Sequence, residues 1–306
     1  MAAPLARDGL IAFMRPGQAG EYDVWVARPT GKGLHRLTRS PGGQSDYNPT
    51  WSPDGSRVLF ERRDPDLYTV PAGGGTPARL DTDCTGDCWG GGEARMSPDG
   101  STVAFSRASG ARSAKFPSHV AIYVVSSSGG NPTEVSNPPR GYEDHYPSWS
   151  PDGRTILFQR DTSTETPGPT NLMAIDVASG AERLVYAIPA WAPGSGIASF
   201  SPDGKRILFG YWCIYGDSCP ASTRAARNSR LATIRLDGGG LKVLPIKLRA
   251  DSGAWSPSGK FIVFRCHASS LSSGAFKLCT SRLDGKQLKQ FPWPLGSAHP
   301  SWGTHP

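Results

Sequence analysis

The stretch WSPDGRTILF, residues 149–158, decides the fold, because the chain repeats it. Its counterparts are WSPDGSRVLF from Trp51, MSPDGSTVAF from Met96, FSPDGKRILF from Phe200 and WSPSGKFIVF from Trp255, with a truncated SWG around Trp302. Successive anchors (Trp51, Met96, Trp149, Phe200, Trp255 and Trp302) are 45, 53, 51, 55 and 47 residues apart. A period near 50 residues signals a repeat architecture, in which each unit buries its faces against its neighbours. Within each copy, Pro-Asp-Gly specifies a turn: Pro presets φ, Asp bonds nearby backbone and Gly takes the left-handed position.

Working outward from the turn, each unit reads as four short strands. The anchor ends an inner strand, and the run ending in Phe60, Phe105, Phe158, Phe209 or Phe264 is a second strand. LYTV from Leu67, IYVV from Ile122, LMAI from Leu172, LATI from Leu231 and FKLC from Phe276 supply a third, and a Gly-rich turn leads to a fourth. Four antiparallel strands per repeat make the blade of a β-propeller. The N-terminus offers Leu10 to Phe13, then Asp23 to Ala27, then a strand ending at Thr38, with no inner strand before them; SAHPSW at the C-terminus is an inner strand with nothing after it. The expectation is an all-β, six-bladed propeller spanning 1–306 as one domain, closed by pairing the C-terminal strand with the three N-terminal ones. Such closure leaves no long open edge.

Composition fits this architecture. The 37 Gly and 28 Pro recur at fixed turn positions and act as punctuation. No run of 18 apolar residues is present, which argues against a helical membrane span. The segment MAAPLARDGLIAF enters the first strand directly, so a secretion signal is expected to be absent or trimmed. The six cysteines form close pairs, Cys84 with Cys88, Cys213 with Cys219 and Cys266 with Cys279, which predicts disulfides and an oxidising compartment, periplasmic or extracellular. The unequal spacings, and the lack of a His beside the Cys84 pair, argue against zinc.

The repeated WSPDG, the apolar run ending in Phe and the I/L-Y-V-V strand resemble the propeller repeat of the TolB family, across essentially the whole chain. The resemblance implies the fold. Function is less constrained, since the same repeat is found in TolB itself, in propellers that cap prolyl-oligopeptidase-like peptidases and in oligogalacturonate lyases. The smaller α/β domain that precedes the TolB propeller has no counterpart in this sequence.

In a four-stranded meander the SPDG and Gly-rich turns share one face, and the loops after strands two and four share the other. The second class is long and variable, as at 107–119, 161–170 and 215–230, and variable loops on a rigid scaffold are where specificity resides. Residues entering the inner strands should ring the channel mouth on that face. The candidate ligand-binding set is Asp46, Tyr47, Glu93, Arg95, Asp144, His145, Asp251 and His299, which could grip a peptide or sugar by charge-assisted bonds and stacking. The Asp of each SPDG (Asp54, Asp99, Asp152 and Asp203) is read as structural.

Catalytic signatures are thin. G-x-S-x-G is absent, and His145 and His299, the two histidines that enter inner strands, belong to different blades. No cofactor or metal is expected. The chain carries 33 basic and 26 acidic residues, and the basic cluster TRAARNSR at 223–230 would suit an anionic glycan; without interleaved aromatics it does not suggest nucleic acid. The sequence reading is therefore a monomeric, non-catalytic binding scaffold for a protein or peptide, with a carbohydrate-active propeller, binding an acidic glycan or acting as a metal-assisted lyase, as the alternative.

Overall fold

A computed structural model describes residues 7–17, 20–62, 66–84, 88–109, 119–162, 170–188, 197–211, 229–267, 276–292 and 299–305, apart from the side chains of 66, 88–91 and 211. No helix occurs among them, and hence none long and apolar enough to cross a membrane. The first strands are β1 (Asp8–Pro16), β2 (Tyr22–Ala27) and β3 (His35–Arg36). Next come β4 (Asp46–Trp51), β5 (Arg57–Arg62), β6 (Asp66–Pro71) and β7 (Ala78–Leu80), then β8 (Cys88–Met96), β9 (Thr102–Ser109), β10 (His119–Ser126) and β11 (Thr133–Glu134). The chain continues through β12 (Tyr142–Trp149), β13 (Thr155–Thr162), β14 (Thr170–Asp176), β15 (Glu182–Ile188), β16 (Ser199–Phe200), β17 (Ile207–Tyr211), β18 (Arg230–Ile234) and β19 (Lys242–Val243). It ends with β20 (Arg249–Trp255), β21 (Ile262–His267), β22 (Lys277–Ser281), β23 (Lys289–Gln290) and β24 (Ser301–Thr304).

These strands form small antiparallel sheets in a propeller arrangement. Hydrogen bonding divides them into four sheets of four strands and one of eight, where six separate four-stranded blades were expected. The eight-stranded sheet arises where one parallel bridge, Val120 to Glu143, joins the β8–β11 meander to the β12–β15 meander. At the termini, β24 pairs with β1, Trp302 opposite Ile11. Trp51 lies so close to Gly303 that a Cβ there would sit 2.5 Å from its ring, so only glycine fits at that contact.

The second strand of each unit is apolar without alternation because it is buried on both faces. Along β5, Val58 and Phe60 pack with Val24 and Val26 of the preceding unit, while Leu59 packs with Val103 and Phe105 of the following one. The six phenylalanines that close these runs, Phe13, Phe60, Phe105, Phe158, Phe209 and Phe264, are fully buried. Each contributes about 1.5–3 kcal/mol relative to an exposed ring. Six such clusters each join two consecutive units, and one of them brings Val263 and Leu278 against Ile11, Phe13 and Trp302.

Serine organises the repeated turn as much as Asp does. The hydroxyls of Ser52, Ser97, Ser150 and Ser201 donate to the Asp two residues on at 2.5–2.6 Å. Each also accepts a backbone N–H from five residues on, at 2.9–3.0 Å. These bonds favour the ionised carboxylate, and Asp99 is held down to about 2, by Ser97 first and Ser101 next. The fifth copy has Ser258 in place of Asp, and there the carboxylate comes from another unit: Ser258 donates its N–H to Asp8 Oδ1 at 2.8 Å and its hydroxyl to Oδ2 at 3.0 Å.

Candidate functional site

The inner strands do not run straight to their anchors. The register shifts between Tyr47 and Thr50, Gly92 and Arg95, His145 and Ser148, and Asp251 and Ala254. Each shift places the residue three before the anchor in left-handed backbone: Asn48 (φ 49°), Glu93 (62°), Tyr146 (57°) and Ser252 (47°). Such bulges re-aim a side chain and turn an N–H out of the ladder. A buried N–H needs an acceptor. The Asn48 N–H points to Met14 Sδ at 3.4 Å, that of Glu93 donates to the Glu61 carboxylate, and that of Tyr146 donates to Glu93 Oε2 at 3.0 Å.

A polar network follows from this. Glu61 also accepts from Asn48 Nδ2 at 3.0 and 3.1 Å, and Glu93 accepts from the Ser106 hydroxyl at 3.1 Å. His145 places Nε2 3.2 Å from Glu143 and Nδ1 3.9 Å from Glu93, with its ring 6.1 Å from that of Tyr146. Burial, reinforced by the Glu93 charge, pushes the Glu61 carboxyl up to about 8. The Glu93 charge and burial raise the Tyr146 phenol. Burial alone would lower His145, but Glu143, Glu93 and Asp161 outweigh it and the imidazole is raised. His299 is driven down to about 4, by burial first and then by Arg265 and Arg95.

Glu61 carries a testable consequence. Its folded value lies above that of the unfolded chain, so the folded protein binds the extra proton and loses stability as pH rises from about 4.5 to about 8. Glu61→Gln removes that slope. Thermal midpoints should be closer to wild type at pH 5 and higher than wild type at pH 9; a variant that tracks wild type at both would show Glu61 to be ionised without cost.

The expected ligand set does not gather at one place. Asp46, Asp144 and Asp251 do not line the opening; their carboxylates are buried against the arginine opposite them in the same unit. Asp46 bonds Arg62 at 2.6 and 2.9 Å, Asp144 bonds Arg160 at 2.7 and 2.8 Å, and Asp251 bonds Arg265. Arg62 and Arg160 also stack 5.3 and 5.4 Å over the Phe two residues before them. Phe-x-Arg was the available signal for the Asp46 and Asp144 pins, whereas Arg265 directly follows Phe264. Tyr47 stays 37% exposed, its ring 5.8 Å from Tyr22. Glu93 and His145 are partly buried in the network, joined by Glu61, Asn48 and Tyr146, which side-chain type alone did not single out as ligand candidates.

Arg95 faces a different space. A cavity of about 300 Å³ is lined by Thr50, Arg95, Ser148, Ser199, Ala254 and Ser301, one residue from each of β4, β8, β12, β16, β20 and β24. It reaches Ser52, Pro53, Pro202 and Pro257, and so belongs to the SPDG-turn side, opposite the variable loops. Most of those loops, at 110–118, 163–169, 212–228 and 268–275, lie outside the described residues. Cys266 and Cys279 form the expected disulfide, Cα atoms 5.9 Å apart. Cys84 is also disulfide-bonded, while Cys213, Cys219 and the Cys88 side chain lie outside the described residues. Among the described residues, no group of three or more His, Cys, Asp or Glu is arranged to hold a metal.

The model of the TolB beta propeller domain matches residues 6–194, well over half of the chain. The chain belongs to this family. An uncharacterized protein of Agrobacterium fabrum is 27% identical over 223 residues, 71% of this chain and 64% of that protein. The Tol-Pal system protein TolB of Nitratidesulfovibrio vulgaris is 37% identical over 54 residues, 18% of this chain and 12% of that protein. The chain thus spans less than two thirds of the length of these two relatives. In fold it is similar to TolB from Acinetobacter baumannii (TM-score 0.70, 20% identity, 96% of this chain and 66% of that one). It is also similar to an oligogalacturonate lyase in complex with manganese (TM-score 0.54, 15% identity, 94% and 74%). At these identities the likeness is one of fold.

Proposed function

We propose that the chain is a closed six-bladed propeller, exported to the periplasm or cell exterior, that serves as a non-catalytic scaffold binding a protein or peptide partner. In this reading the eight-stranded sheet counts as two blades, and the β24–β1 pairing with its shared cluster closes the ring. The observation that carries it is the rim of a TolB-family propeller. Tyr47 and His145 each stand four residues before their anchors; Tyr47 is exposed beside Tyr22, and His145 is flanked by Glu143 and Glu93. An exposed aromatic pair on one unit and a charge-assisted His–Glu pair on another suit peptide recognition by stacking and hydrogen bonding. Export is supported by the family and by the Cys266–Cys279 disulfide.

The test is capture from envelope extract of the source organism by wild type and by a Tyr47→Ala/His145→Ala variant with a matched unfolding midpoint. Asp144 is left intact because it pins its blade. A protein retained by wild type and lost by the variant supports the scaffold and places its site on this rim; equal capture, or none, overturns it. The second reading, an acidic-glycan propeller, is favoured by the likeness in fold to an oligogalacturonate lyase. It would show instead as manganese-dependent cleavage of oligogalacturonate.

A further inference from the structure

Arg95, like Arg107, which bonds the Thr82 carbonyl, lacks the aspartate partner that pins other arginines of the propeller. Arg36, Arg62, Arg160 and Arg265 each bond an aspartate of their own unit. The Arg95 guanidinium donates to the carbonyl of its neighbour Ala94 at 2.9 Å, and no carboxylate lies within ion-pair distance of it among the described residues. It is nonetheless partly buried, and burial pulls it below its ordinary value against the attraction of Glu61 and Glu93. A guanidinium presents five N–H donors in a planar fork, and a buried one without a bonded anion is costly. Both carboxylates have other commitments. Glu61 holds its proton up to about 8, and Glu93 takes the Tyr146 N–H and the Ser106 hydroxyl.

The cavity beyond Arg95 has matching chemistry. Arg95 is the charged side chain among its lining residues, and Thr50, Ser148, Ser252 and Ser301 add hydroxyls. Trp51, Trp255 and Trp302 form walls. About 300 Å³ lies at the lower end of the range for small-molecule sites. We infer that the axial cavity on the SPDG-turn side is a binding site for a small oxyanion-bearing solute, whose carboxylate or phosphate takes the Arg95 fork and whose remaining oxygens meet the surrounding hydroxyls. Guanidinium–oxyanion pairing is bidentate and strong in such an enclosure. This site rests on Arg95 and the turn-side hydroxyls and not on Tyr47 or His145, so its test is distinct from that of the scaffold reading.

The experiment is isothermal titration of the full chain with citrate and with inorganic phosphate at constant ionic strength, chloride serving as the control. The expected result is saturable binding of one probe with Kd below about 1 mM, weakened at least tenfold in Arg95→Met and partly restored in Arg95→Lys. Preference for citrate assigns a carboxylate ligand, and preference for phosphate a phosphate. Ser148→Ala, which removes a lining hydroxyl and adds no bulk, should weaken the same probe about threefold; it decides the matter if Arg95→Met does not fold. Absence of saturable binding by either probe, or affinity unchanged in the folded variants, overturns the assignment.

Discussion

Asp144→Ala is expected to lower the unfolding free energy by about 3–5 kcal/mol, the cost of stranding a buried charge. The Asp144 carboxylate is fully buried, and both its oxygens receive bonds from Arg160, which also reaches Glu182 at 2.9 Å. Burial works against the Arg160 charge, and its two carboxylate partners outweigh that, holding the guanidinium above its ordinary range. Removal of Asp144 leaves the cation over Phe158 with half of its partners. The double variant Asp144→Ala/Arg160→Met should recover most of the loss, because a buried pair replaced by apolar groups is often neutral. Denaturant unfolding of the three proteins is the measurement; a single-variant loss under about 1 kcal/mol would mean the pair is screened like a surface bridge.

The Cys266–Cys279 disulfide supplies the second large effect. It closes a loop of 13-residue separation between β21 and β22, and both cysteines are fully buried. The chain-entropy model assigns such a loop about 3 kcal/mol. The Cys266→Ser/Cys279→Ser variant should therefore unfold at a lower denaturant midpoint by about that free energy. Reductant should destabilise wild type at least as much, since Cys84 is disulfide-bonded as well. A variant as stable as wild type would show that strand pairing already holds the two sites together, and would weaken the argument for an oxidising compartment.

Much of the fold was legible because its signals are local. WSPDG, the apolar run and the glycine turn lie within a few residues of one another, and the structure uses them as read. The site was harder. Asp46 and Asp144 looked like channel-mouth ligands because inner-strand position was considered without the arginine 16 residues on, which takes both carboxylate oxygens. Glu61 sits in a second strand and carried no ligand signal, yet it accepts the bulged N–H of Glu93 from the next unit. The bulges themselves are not spelled by glycine: Asn48, Glu93, Tyr146 and Ser252 adopt left-handed backbone, and for the first three a neighbouring unit supplies the acceptor of the turned-out N–H.

By itself, then, the sequence determined the repeat, the strand order within it and the identity of the residues buried between units, since a turn and an apolar run are short-range properties. Tertiary structure alone decided which polar groups satisfy one another. Glu61 meets Glu93 across 32 residues and Asp8 completes the turn at Ser258 across 250. Whether a charged side chain is left to face a cavity, as Arg95 is, depends on partners brought together only when the units pack around a common axis.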